Sequence, residues 1–141
     1  MKFGDRITSY LPSAHIADRL SCHYTQLRFG VQVTCVSDGR AILSALPDVR
    51  PTIWVAVPRI WEKLKLAIET TLAADADGDA ERIAWALDTG LRKVRCEQRR
   101  EPISAELARD HLRANEEVLA GIRTRFGLSR TRLPAPDRAC G

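Results

Sequence analysis

Residues 51 to 68 constrain this chain more than any other stretch. The segment Thr52-Ile53-Trp54-Val55-Ala56-Val57 carries five apolar or aromatic side chains in six positions and does not alternate. Such a run suits a strand covered on both faces rather than a half-exposed hairpin. Pro58 follows, and with no N–H and a fixed φ it fits the first turn of a helix. Beyond it Ile60, Leu64 and Ile68 recur at intervals of four, with Trp61 beside them and Glu62, Lys63, Lys65 and Glu69 mostly on other faces. The stretch reads as a strand-to-helix step of an α/β protein. Nothing in it specifies a reaction.

A chain of 141 residues, 45% hydrophobic and 28% charged, is large enough for one globular domain with its own core. No apolar run approaches the roughly 20 residues that cross a bilayer. Met1-Lys2-Phe3-Gly4-Asp5 opens into polar sequence rather than a signal-peptide core, so the expected location is cytoplasmic. The formal charge of +4 attracts anions but is too small to establish nucleic-acid binding. Cys22, Cys35, Cys96 and Cys140 are scattered without a CxxC pair, which removes support for zinc-ribbon and thioredoxin-like readings. Free thiols are expected.

In chain order, residues 6–11 read as a short strand closed by Pro12. A helical pattern follows through Ile16, Leu20, Tyr24 and Leu27, with Ser13 as its cap and Gly30 as its stop. Residues 31–36 form a second strand candidate, Asp38-Gly39 a turn, and residues 41–46 a short helix or turn interrupted by Pro47. With 52–57 this makes three strands separated by helical segments, a βαβ arrangement with a mostly parallel sheet.

The character changes after Leu72. The stretch Ala73-Ala74-Asp75-Ala76-Asp77-Gly78-Asp79 resembles a calcium loop only superficially, because its glycine is misplaced for the required turn; a solvated helix-to-helix connection is expected. Asp79 is placed to cap a helix with Ile83, Leu87, Leu91 and Val94 on one face, weakened by Gly90. Arg92, Lys93, Arg95, Arg99 and Arg100 surround Glu97. This cluster lacks interleaved aromatic side chains and reads as a solvated face, with phosphate or nucleic-acid binding as the alternative. Ser104 is placed to cap a long helix over 105–126, its stripe formed by Leu107, His111, Val118, Ile122 and Phe126 and widened by Leu112 and Leu119. His111 is expected to be a packing or surface histidine. Residues 134–141 read as an irregular tail after the helix exit at Gly127-Leu128-Ser129.

Several words in this sequence, taken together, resemble one family. Ser9-Tyr10-Leu11-Pro12-Ser13-Ala14-His15-Ile16-Ala17-Asp18-Arg19 is similar to the SYLPLAHIxER segment of long-chain fatty-acid CoA ligases. Val49-Arg50-Pro51-Thr52 and Val57-Pro58-Arg59-Ile60-Trp61-Glu62-Lys63 resemble their VRPT and VPRxWEK words, in the same order. Ile83-Ala84-Trp85-Ala86-Leu87, Gly90-Leu91-Arg92-Lys93-Val94-Arg95 and Gly127-Leu128-Ser129-Arg130 resemble later segments of bacterial members.

The resemblance implies a middle portion of the large N-terminal domain of an AMP-forming adenylating enzyme. Residues 1–71 would be a partial α/β sheet unit, with short, mostly parallel strands, and 72–133 a helical portion with two long helices. Such enzymes join a fatty acid to AMP with release of pyrophosphate and then pass the acyl group to coenzyme A, so ATP, Mg²⁺ and coenzyme A are implied for an intact member. A carboxylate is a poor acyl donor until its oxygen becomes a good leaving group, and the phosphate charge that moves needs fixed donors and a cation. The family's glycine-rich phosphate loop, its Tyr-Gly-x-Thr-Glu word and its C-terminal catalytic lysine domain have no counterpart in these residues. No catalytic or metal-ligating residue is assigned, and no independent ligase activity is expected.

His15 is the one site residue the resemblance carries over, as a substrate-binding side chain beside the reacting carboxylate; a helix-start or core histidine is the plain alternative. Arg59 and Trp61 are expected to be a surface residue and a packing anchor, and Tyr10 to pack beside the strand end. Ser13 departs from the family's larger apolar residue, and Leu133-Pro134-Ala135-Pro136 replaces an expected strand. Other readings are a helical interaction module that complements another ligase chain and, less favoured, a nucleic-acid binder acting through the basic cluster.

Overall fold

The computed structural model describes residues 1–74 and 79–132. The connection at 75–78 and the tail lie outside the described residues. The described residues divide into two compact units, one formed by Met1–Val57 with residues 125–132, the other lying within Pro58–Thr124.

In the first unit, strands β1 (Arg6–Ser9) and β2 (Gln32–Cys35) pair in parallel, with Ile7 opposite Val33 and Ser9 opposite Cys35. Parallel strands need a crossover. Here it consists of α1 (Ile16–Asp18), a π-helical segment (Arg19–Tyr24) and α2 (Thr25–Phe29), which Gly30 ends at φ 65°. Ile7, Cys22 and Val31 form one buried cluster, with Val33 and Ile53 packed against it.

The third predicted strand is absent. Residues 52–57 run without ladder pairing: Thr52 N–H and Ile53 N–H converge on the same Arg6 carbonyl, at 2.9 Å and 3.2 Å, which a regular ladder does not do. Trp54 is buried and Ile53 packs on the Ile7 cluster whereas Val55 is exposed, so the apolar run is only partly covered. The crossover also inverts expectation. Ile16, Leu20, Tyr24 and Leu27 lie outward, Leu27 at 85% exposure, and the buried residues are Asp18 and Cys22. Ser13 does not cap α1; His15 does so through its own ring.

Helix α3 (Ile42–Val49) continues through Pro47 and buries Ile42 and Leu46 completely. Pro47 removes one donor to Leu43, and the buried stripe holds the helix together across that gap. The described end of the chain returns to this unit. Gly127 sits at φ 72° against the Leu46 carbonyl, Arg132 N–H donates to the Thr52 carbonyl at 2.8 Å, and the Thr131 hydroxyl donates to the Pro51 carbonyl at 2.9 Å.

The second unit is helical: α4 (Pro58–Ala74), α5 (Ala80–Arg99), α6 (Ala105–Ala114), a π-helical segment (Asn115–Leu119) and α7 (Ala120–Arg125). Pro58 opens α4 as expected, with Ile60 and Leu64 buried, while Trp61 is 43% exposed rather than a buried anchor. On α5 the inward residues are Ala86 and Thr89, not the larger Leu87, Leu91 and Val94, which are exposed. Small side chains win because α6 approaches closely. Ala86, Ala114 and Val118 form the core with Ile83, Trp85, Leu119 and Ile122 around them. Asp79 stands at the N-cap of α5, but its carboxylate pairs with Arg82 instead of a backbone N–H.

Ser104 caps α6 as predicted, accepting from Leu107 N–H at 3.1 Å. Leu112 leaves the stripe at 62% exposure. From Ala114 through Val118 to Ile122 the inward residues are spaced by four, more than the 3.6 of a regular helix, and the wider π turn absorbs the excess. Within the basic cluster Lys93 pairs with Glu97 at 2.6 Å and Arg99 with Glu101 at 4.0 Å, consistent with a solvated face.

Candidate functional site at the strand ends

Because β1 and β2 are parallel, their carboxyl ends open on the same side, where open α/β sheets place ligands. A cavity of about 530 Å³ lies there, lined by residues 9–12 after β1 and 35–40 after β2. Two turns shape its rim. Asp38 caps the turn after β2, its Oδ1 accepting from Arg40 N–H at 2.9 Å, and the Arg40 guanidinium returns onto the same carboxylate at 3.0 to 3.2 Å. The Arg40 contacts hold the Asp38 carboxyl below the usual carboxylate range. Gly39 lets that turn approach the Tyr10 carbonyl, which a Cβ would meet at 3.2 Å.

Tyr10 crosses the rim. Its phenol oxygen accepts the Val57 N–H at 3.2 Å, tying the strand end to the segment before α4. Burial pushes the phenol up, with Asp18 and Cys22 adding to the effect, so the hydroxyl stays protonated at neutral pH. Tyr10 therefore does more than pack.

His15 is exposed, and its Nδ1 accepts from Ala17 N–H at 3.1 Å. The neutral ring then carries its proton on Nε2. His15 is not among the residues lining the cavity; the structure gathers Ser9 and Tyr10 there. Arg59 is exposed on α4, and His111 is half-buried on α6. One element escaped sequence reasoning. Asp18 is buried, both its oxygens accept from the Ser9 hydroxyl, and His23 Nε2 stands 3.5 Å from Oδ2. Residues five apart lie on different faces of a regular helix, but the π segment from Arg19 brings His23 over Asp18.

The cavity's chemistry is that of a small, mixed polar and apolar recess. Its cation, Arg40, is committed to Asp38, so these residues do not by themselves fit a polyphosphate. Among the described residues no three His, Cys, Asp or Glu side chains converge on a metal position, so they do not by themselves form a Mg²⁺ site.

Comparison with known proteins defines the class. The model for "AMP-binding enzyme" matches residues 1–129, and the chain belongs to that family. A protein of Mycobacterium tuberculosis (strain H37Rv) named "Putative fatty-acid--CoA ligase fadD11" is 47% identical over 133 residues, covering 94% of this chain and 23% of that protein. The long-chain-fatty-acid–CoA ligase ACSBG1 of Rattus norvegicus is 31% identical over 130 residues, 88% of this chain and 17% of its own. This chain thus spans less than a quarter of the length of these relatives. No solved structure matches it significantly. The parallel strands followed by long helices agree with part of an AMP-binding domain. No helix among the described residues is long and apolar enough to cross a membrane.

Proposed function

We propose that this chain is a segment of a cytoplasmic fatty-acid–CoA ligase, contributing the strand-end wall beside which the fatty-acid carboxylate is bound. In this reading residues 1–71 and 72–133 are successive parts of one AMP-binding domain. The observation that carries it is the match to the AMP-binding family over 1–129, together with relatives named as fatty-acid–CoA ligases. His15 is the substrate-binding residue: with Nδ1 engaged by Ala17, Nε2–H is the donor left for a carboxylate oxygen. Adenylation would need phosphate donors and Mg²⁺ from other residues, and coenzyme A would accept the acyl group afterwards.

The test is binding, because the residues in hand supply a wall and not a phosphate clamp. In a titration of carboxyl-labelled laurate followed by NMR, saturable movement of the His15 imidazole signals is expected. Binding at least about tenfold weaker in His15→Ala is expected for loss of one hydrogen bond to a charged group. Laurate that moves no His15 signal in the folded chain contradicts the reading.

A second reading, that the chain complements another ligase chain, has its own observation. Ile16, Leu20, Tyr24 and Leu27, large apolar side chains at helical spacing along the crossover, are all exposed. Saturable association with a complementary ligase chain, lost in Leu20→Lys, is the result expected of it.

A further inference from the structure

A buried carboxylate, Asp18, is bonded to Ser9 at the crevice. The geometry points to Asp18 as the positioning residue of the strand-end site, an inference that rests on the reading of His15 as substrate-binding. Asp18 is 2% exposed. Its oxygens accept from the Ser9 hydroxyl at 3.0 and 2.9 Å. Ser9 ends β1 and lines the crevice, while Asp18 ends the turn that His15 opens. The N–H groups of Asp18 and Arg19 both donate to the His15 carbonyl, at 3.1 and 3.2 Å. One carboxylate therefore fastens the strand end to the turn that presents His15.

Two chemical consequences follow from that clamp. A serine hydroxyl has one proton, and Ser9 directs it to Asp18, so it offers the crevice lone pairs only. The His15 ring, held as the cap of this turn, offers Nε2–H only. Ser9 in the crevice lining and His15 at the start of α1, outside that lining, are thereby each held in one hydrogen-bonding state before any ligand arrives. His23, brought over Asp18 by the π segment, stands with Nε2 3.5 Å from Oδ2, a second partner for the carboxylate when the ring is protonated. Asp18 itself need not touch the substrate.

The experiment uses the whole chain with ¹⁵N-labelled histidine, comparing wild type with Asp18→Asn and Asp18→Glu. Imidazole nitrogen shifts report the His15 tautomer, and laurate is the binding probe. The expected wild-type spectrum is that of the Nε2–H tautomer. In Asp18→Asn the His15 signals move toward a tautomer mixture, and laurate binding weakens about tenfold; Asp18→Glu restores both, since it returns the carboxylate. A folded Asp18→Asn chain with a wild-type His15 spectrum overturns the proposal. Where Asp18→Asn does not fold by circular dichroism, Ser9→Ala is read in the same way: a mixed His15 tautomer supports the clamp, and an unchanged spectrum overturns it. A wild-type chain that ignores laurate contradicts the substrate reading of His15 alone, because the tautomer comparison still decides the role of Asp18.

Discussion

At the scale of single residues, polar groups buried near β1 set the local energetics. The Asp5 side chain is buried, which pushes its carboxyl up. That push is outweighed by the Lys2 N–H at 2.9 Å, the Thr52 hydroxyl at 3.1 Å and the Arg132 guanidinium, and the net result lies below the ordinary 3.8. A depressed carboxyl contributes stability above its unfolded pKa, and the contribution is lost as pH falls through the folded value. The stability difference between wild type and Asp5→Asn is thus expected to hold above about pH 5 and to shrink as pH falls through and below about 4 in urea melts. His111 is also depressed, by burial first and then by Lys93 and Arg123, so it favours folding while neutral. Stability falls as pH drops through the histidine range, and His111→Gln flattens that slope. Thr8 presents the opposite case: its buried hydroxyl has no partner among the described residues, and Thr8→Val is expected to stabilise by about 1 kcal/mol in thermal melts. Sequence reading reached His15 through a run of neighbouring residues. It could not reach the role of Asp18, whose partner Ser9 is nine positions away and whose neighbour His23 is brought over it by a π turn that no residue pattern announces.

At the scale of elements, backbone geometry decides where the sequence pattern held and where it failed. Gly30 and Ser104 were legible because each solves a local problem, a left-handed exit and an orphan N–H. Gly127 solves a tertiary one. It combines positive φ with contact against the Leu46 carbonyl, so Gly127→Ala is expected to destabilise by at least about 2 kcal/mol in chemical denaturation. Gly90 differs: a Cβ there meets Leu119 Cδ1 at an ordinary 3.4 Å, and its helical position favours alanine. Gly90→Ala should therefore stabilise by about 0.5 to 1 kcal/mol. The apolar stripes of the crossover and of α5 misled because periodicity reports which residues share a face, not which face is covered. On α5 the covered face belongs to alanine and threonine, which hydropathy weights lightly. Likewise the run 52–57 has the composition of a central strand, but a strand also needs a regular ladder, and its bonds to Arg6, Arg132 and Tyr10 do not make one.

At the scale of the molecule, the fold class was legible from the alternation of strand and helix signals, and the family from the order of several short words. The described structure keeps two parallel strands of that plan and the long helices after them. The chain corresponds to less than a quarter of its relatives' length, and it holds a strand-end recess whose cation is already paired. The proposed function casts these residues as a wall beside a carboxylate site, without a phosphate clamp. The measurement that tests this most directly is acyl-adenylate formation by the purified, folded chain with ATP, Mg²⁺ and medium- and long-chain fatty acids, following pyrophosphate in parallel. The account predicts no adenylate and no pyrophosphate above background. Reproducible turnover that disappears in His15→Ala would contradict it, because these residues would then complete the phosphate chemistry unaided.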